Sequence, residues 1–229
     1  GAETSARFAL WATSAEGQPL LRLRAADLSA TVNGEPAKVS AVTPPAGPSI
    51  LLVVVDLVGD LNRIDGARGA LARRIEGLGK NDYVALLRAQ DGLRVVSDPS
   101  NNRRRTLELL GEMPVSGFPG LLESVEQTAA IAHAMASSAR VRIAVLYLTD
   151  GGIEDYRGDY ASEVVNPSDR GDLSRRFRDR LVQERISTLT ASLGRYAAPL
   201  FFVHLEERTD SLNVTYQNGI RQFAGASGG

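Results

Sequence analysis

The chain of 229 residues contains no cysteine, two histidines, two methionines and one tryptophan. Without cysteine there is no disulfide, no zinc–thiolate centre and no thiol nucleophile. The histidines, His133 and His204, are far apart and neither has a partner at ligand spacing, so both read as packing or surface residues. No apolar run approaches the ~18 residues that a membrane span needs. No signal-peptide pattern is present; Gly1 in place of Met reads as a trimmed or processed start, so an upstream export signal or anchor stays open. Charge of one sign is lacking too: 26 Lys and Arg against 27 Asp and Glu leave a formal net charge of -1. Nothing global therefore draws the chain to nucleic acid or to an anionic membrane. What is there is ordinary for a globular protein, with 43% hydrophobic and 23% charged residues. The length suffices to bury a core without staples.

The chain changes style once. Residues 1–45 read as a β-rich lead-in. Arg7 to Thr13 alternates, with Phe8 and Leu10 on one face and Trp11 as an anchor. Ala15-Glu16-Gly17-Gln18-Pro19 is turn chemistry, and Leu20 to Leu23 is short and apolar. Ser29 to Val32 runs into Asn33-Gly34, which predicts a hairpin returning over Lys38 to Val42. A segment this short cannot build its own core, so it is expected to lean on the rest. Pro44-Pro45-Ala46-Gly47-Pro48 reads as a linker.

Residues 49–229 alternate strands with helices, which predicts an α/β fold: a doubly wound, mainly parallel open sheet of Rossmann-like type. Ile50 to Val55 is an unbroken apolar run, suited to a strand buried on both faces. Ile64, Ala67, Leu71, Ile75 and Leu78 predict the first helix. Strands follow at Tyr83 to Leu87, Leu93 to Val96, Val141 to Leu148 and Leu200 to Leu205. Helices are predicted at Arg103 to Leu110, Leu121 to Ser137, along Leu173, Phe177, Leu181, Ile186, Leu189 and Leu193, and from Asn213 to Ala226. Right-handed crossovers give the strand order 3-2-1-4-5 counted from Ile50, with Leu93 to Val96 antiparallel at one edge. A long polar loop is expected from Gly151 to Arg170.

Ligands in such sheets bind beyond the carboxyl ends of the strands. Two strands end in acid there, Val53-Val54-Val55-Asp56 and Tyr147-Leu148-Thr149-Asp150-Gly151. Two readings stand for Asp56 and Asp150: remnants of a metal site, or caps on nearby backbone amides. As an acid–base couple they lack a Ser–His or Lys partner in a recognisable arrangement. Arg157-Gly158-Asp159 spells the tripeptide that integrins bind, but so short a motif arises readily by chance. Arg103-Arg104-Arg105 has no interleaved aromatics and reads as a solvated face.

The layout resembles a von Willebrand factor A domain, whose first strand ends in Asp-x-Ser-x-Ser and whose fourth ends in Thr-Asp-Gly. Gly17-Gln18-Pro19, Leu23, Asp27-Leu28, Val32-Asn33-Gly34 and Tyr216 to Ala224 running into Ser227-Gly228-Gly229 also resemble the related domains described from acidobacteria. The resemblance covers nearly the whole chain. It implies a non-enzymatic binding or adhesion-type module for another protein, exported to the periplasm, the surface or the exterior. It also implies a divalent cation held by serine and threonine hydroxyls and two aspartates, oxygens that suit a hard ion. Here the serine positions are Val58 and Asp60, and the middle loop, Ser116-Gly117-Phe118-Pro119-Gly120, has no threonine. The metal set reduces to Asp56, Asp60 and Asp150, a degenerate site for which no cofactor is expected beyond weak Mg2+ or Ca2+. The partner is expected to bind the rim holding Ser116, Phe118, Glu154 and Asp155, and the acids of the 151–170 loop suggest a basic protein. The alternative is a metal-dependent hydrolase using Asp56, Asp60 and Asp150.

Overall fold

In order, the elements are β1 (Ala30–Val32), β2 (Glu35–Ala37), β3 (Ser49–Asp56), α1 (Leu61–Glu76), β4 (Asp82–Arg88), β5 (Arg94–Ser100), α2 (Arg103–Glu112), α3 (Leu121–Ser138), β6 (Arg142–Thr149), α4 (Leu173–Leu193), β7 (Leu200–His204) and α5 (Ser211–Ser227). The structure is a computed structural model that describes residues 10, 12, 14–16, 20, 22–43, 47–115, 117–139, 141–156, 173–196 and 198–229. The expectations for Phe8, Trp11, Gly17 to Pro19, Pro44 to Ala46, Ser116, Phe177 and residues 157–170 lie outside what is described, the last including Arg157-Gly158-Asp159.

β3 is central because it is apolar on both faces. It pairs in parallel with β4 on one side and β6 on the other, β6 pairs in parallel with β7, and β5 pairs antiparallel with β4. The five-stranded order β5-β4-β3-β6-β7 is the one the sequence predicts. Leu52 and Val54 point into a core with residues of α3, α4 and α5, whereas Val53 and Val55 point into a second core with residues of α1 and α2. Two buried faces explain why the run has no polar alternation.

The helices follow their apolar stripes. α1 buries Ile64, Leu71 and Ile75, and α3 buries Leu122, Val125, Ala129 and Ala132. On α4 the buried line is Val182, Ile186, Leu189 and Leu193, one residue on from the expected Leu181, which is only half-buried. α5 is capped by Asp210, whose Oδ1 accepts from the Asn213 amide, and it ends at Gly228 in the left-handed region.

One expectation for the lead-in changes. Asn33 and Gly34 have φ of 53° and 87°, a two-residue turn, so the return strand starts at once at Glu35. Glu35–Ala37, not Lys38 to Val42, pairs back. The hairpin itself adds no buried residue to the main core; much of the rest of the lead-in expected to lean there lies outside the described residues. β1 is fully exposed, β2 is exposed but for half-buried Ala37, and among the described residues neither core cluster contains one before Ile50. Ala, Thr, Val, Glu and Pro offer too little apolar surface to dock a strand pair.

Candidate functional site

Parallel pairing sets Asp56 opposite Thr149, so both acid-ended strands finish side by side at the carboxyl edge of the sheet. Asp56 is fully buried. Its Oδ1 accepts from the Gly120 amide at 2.8 Å, and its Oδ2 from the Thr149 hydroxyl at 3.2 Å. Burial pushes its carboxyl up to about 7, against the pull of those two donors, and neighbouring Asp150 adds to the rise. Gly120 sits so tightly on Ala89 that a Cβ would run into the Ala89 carbonyl.

Asp150 is buried as well and closes the following loop. Its Oδ1 accepts from the Val58 amide at 2.9 Å and its Oδ2 from the Gly59 amide at 2.7 Å. Asp60 does something else again. It is the N-cap of α1, exposed, with Oδ1 accepting from the Asn62 and Arg63 amides at 2.8 and 3.2 Å. The three carboxylates therefore serve three separate stretches of backbone.

A hexacoordinate hard cation fits this arrangement poorly. Both oxygens of Asp56 and both of Asp150 already accept internal hydrogen bonds. Val58 brings no side-chain oxygen, and Phe118 and Pro119 bring none from the middle loop. Among the described residues no group of three or more Asp, Glu or His side chains is placed to hold a metal ion. A catalytic metal needs well-placed ligands and an open position, and no step through a metal follows from this geometry.

The rim above is more ordered than its sequence suggests. The Phe118 amide donates to Asp91 Oδ1 at 2.9 Å, and the Phe118 carbonyl accepts from the Asp91 amide at 3.1 Å. This double contact fixes the loop while the Phe118 ring stands 69% exposed. Leu61, next to the cap of α1 at the same edge, is exposed too.

Residues 153–156 are helical rather than loop. Asp155 Oδ2 accepts from the Gly152 amide at 2.7 Å. Glu154 forms an ion pair with Arg208 and accepts from Asn213 Nδ2 at 3.2 Å. Arg208 also pairs with Glu206 at 3.1 Å, and Glu206 with Arg63 at 3.0 Å. The predicted acidic surplus at Glu154 and Asp155 is thus partnered from within. His204 Nε2 lies 2.8 Å from the Gly151 carbonyl, while the Glu206 amide donates to Nδ1 at 3.4 Å. With Nδ1 accepting from that amide, Nε2 is the nitrogen that donates to the carbonyl.

Sequence reasoning names Asp56, Asp60, Asp150 and Phe118 but misses Asp91, Arg208 and Asn213. Asp91-Gly92 is legible as a turn, yet a carboxylate reaching across 27 positions to an amide leaves no local signal. The other candidates are absorbed into structure. Arg103 donates to the Gly79 and Asp82 carbonyls, Arg104 and Arg105 pair with Glu108, and His133 packs edge-on against Tyr196.

A mainly parallel sheet ordered around β3, closed by Asp56 and by Thr149-Asp150-Gly151 and flanked by helices on both faces, is an α/β fold of the von Willebrand factor A type. The three N-terminal domains of the type V pili tip protein Mfa5 from Porphyromonas gingivalis overlay it with a TM-score of 0.52 at 10% identity, covering 82% of this chain and 47% of that one. A point mutant of the PilB minor pilin from Streptococcus sanguinis gives a TM-score of 0.52 at 12% identity, covering 80% and 56%. The SpRpn10 VWA domain covers 80% of this chain and 82% of its own at 10% identity, with a TM-score of 0.44. The match thus spans about half of each of these two solved pilus-protein chains. No protein-family model matches the chain, and no similar sequence is found among curated proteins.

Proposed function

We propose that this chain is a non-enzymatic, adhesion-type protein-binding module that engages its partner through the rim around Phe118 without a divalent cation. The observation that carries the reading is the Phe118 ring, held out to solvent on a loop pinned twice by Asp91. A large side chain displayed from a pinned backbone saves the loop's share of the ordering entropy on binding, and aromatics of this kind anchor interfaces. Loops at strand ends are the usual place for recognition. The pilus roles of Mfa5 and PilB support an adhesion-type reading and an exported setting for this chain as well. No helix among the described residues is long and apolar enough to cross a membrane. The hydrolase alternative asks Asp56, Asp60 and Asp150 to share one ion. Asp60 is instead spent on the cap of α1, and Asp56 has no exposed surface.

The test is affinity capture from the producing cells with the intact chain and with Phe118→Ser, each in chelator and in magnesium. A partner held by the intact chain, at least tenfold depleted with Phe118→Ser and indifferent to chelator, is the expected result. A partner lost in chelator, or retained fully by Phe118→Ser, would overturn the reading.

A further inference from the structure

The ladder between β4 and β5 ends by setting two arginines against each other. Arg88 of β4 lies directly opposite Arg94 of β5, and residues directly opposite share one face of the sheet and stand close. Val84 and Leu86, ahead of Arg88 on that face, are buried in the core shared with α1 and α2. Where an apolar residue would continue the pattern, a half-buried cation stands instead, facing an exposed second one. Among the described residues neither arginine side chain has a hydrogen bond or an ion pair. Asp91, in the turn between them, accepts from the Phe118 amide, and Asp98 further along β5 pairs with neither.

Stability does not explain the pair, because like charges directly opposite work against strand pairing. Keeping a stray strand off the sheet edge does not explain it either. A charge on β5 alone serves that end, whereas Arg88 sits on β4, which is paired on both sides. The pair also adjoins the rim. Asp91 lies three positions from each arginine, and it holds Phe118 through both its amide and its side chain.

We infer that Arg88 and Arg94 are the charged part of the recognition surface around Phe118, and that they take a carboxylate from an acidic segment of the partner protein. The inference rests on the rim reading and adds the partner's sign to it. One carboxylate between two guanidiniums replaces their repulsion with charge-assisted contacts, while the Phe118 ring takes an apolar neighbour. Nucleic acid is the poorer occupant. Two guanidiniums on a chain of net charge -1 give too few phosphate contacts and no basic field.

The probe is a displayed library of random heptapeptides panned against the full chain. Enriched sequences should carry an aspartate or glutamate close to an aromatic or aliphatic residue. Binding of the selected synthetic peptide should fall at least tenfold in Arg88→Gln, in Arg94→Glu and in Phe118→Ser. It should be unchanged in Arg104→Gln, which removes a like charge at the start of α2. Arg94→Glu also turns the repulsion into an attraction, so its melting midpoint should rise, by about 2 °C, as its binding is lost. A lowered midpoint would make the pair a structural one and overturn the inference. Peptides lost in Phe118→Ser but indifferent to both arginine variants would overturn the inference and leave the rim standing. Peptides lost in the arginine variants but indifferent to Phe118→Ser would uphold the pair as the acid's seat and overturn the rim reading. A library with no enrichment would overturn the inference. Saturable binding of inorganic phosphate, lost in Arg94→Glu, would overturn it in favour of a phosphorylated ligand, and a dimer in sedimentation that Arg94→Glu dissolves would do so in favour of a second copy.

Discussion

Asp56 couples the site to pH in a direction that separates a structural carboxylate from a metal ligand. Its carboxyl stands near 7 in the folded chain against an ordinary value of 3.8. Between those values the folded state keeps a proton that the unfolded chain has released. Stability is therefore full below about pH 4, falls as pH rises toward 7, and levels off above. The span corresponds to on the order of 4 kcal/mol. Asp56→Asn keeps the shape, can accept from the Gly120 amide and donate to the Thr149 hydroxyl, and never ionises. We expect urea unfolding to show the variant equal to the parent near pH 4, more stable at pH 8, and flatter between. A parent whose stability rises from pH 4 to 7, with Asp56→Asn weaker at pH 8, would mean that the ionised carboxylate is the favoured form, as a bound cation requires. The sequence makes Asp56 and Asp150 legible as neighbours at a crevice, and it holds their capping role open. It does not tell which amides they serve, because Gly120, Val58 and Gly59 reach them only through tertiary contact.

At the scale of elements, α1 depends on Asp60 for its start. The side chain satisfies two amides of the first turn. Asp60→Ala should cost about 1 kcal/mol, the usual worth of an N-cap, by thermal or urea unfolding. The loss should be the same in chelator and in magnesium; a loss seen only with the cation would return Asp60 to a ligand role. The strands and helices of residues 49–229 read well because each has a period that matches one buried face or two. β3, apolar throughout, could only be central, and α1 and α3 carry stripes at helical spacing. The hairpin read poorly at its return strand. Asn33-Gly34 fixes the turn but also the register, and Pro36 and Glu35 hid a strand that begins directly after it. The helical turn at residues 153–156 was equally hidden, since polar Glu154 and Asp155 there serve Arg208, Asn213 and the Gly152 amide rather than solvent.

For the whole molecule, two cores on either side of one sheet hold the fold, and among the described residues both lie within residues 50–226. Replacing the hairpin Ala30–Ala37 with a short flexible linker should leave the melting midpoint unchanged, since surface removals away from packed contacts move stability little. A midpoint several degrees lower would show that the lead-in does bear on the core. The central claim is that the acid pair at the sheet's edge serves the fold, leaving recognition to a cation-free rim. Calorimetric titration of the metal-stripped chain with magnesium and calcium tests it most directly, with Asp56→Ala as the control. We predict no saturable heat, and only weak effects that vanish with modest salt. Saturable micromolar binding by the parent chain, lost in Asp56→Ala, would contradict it.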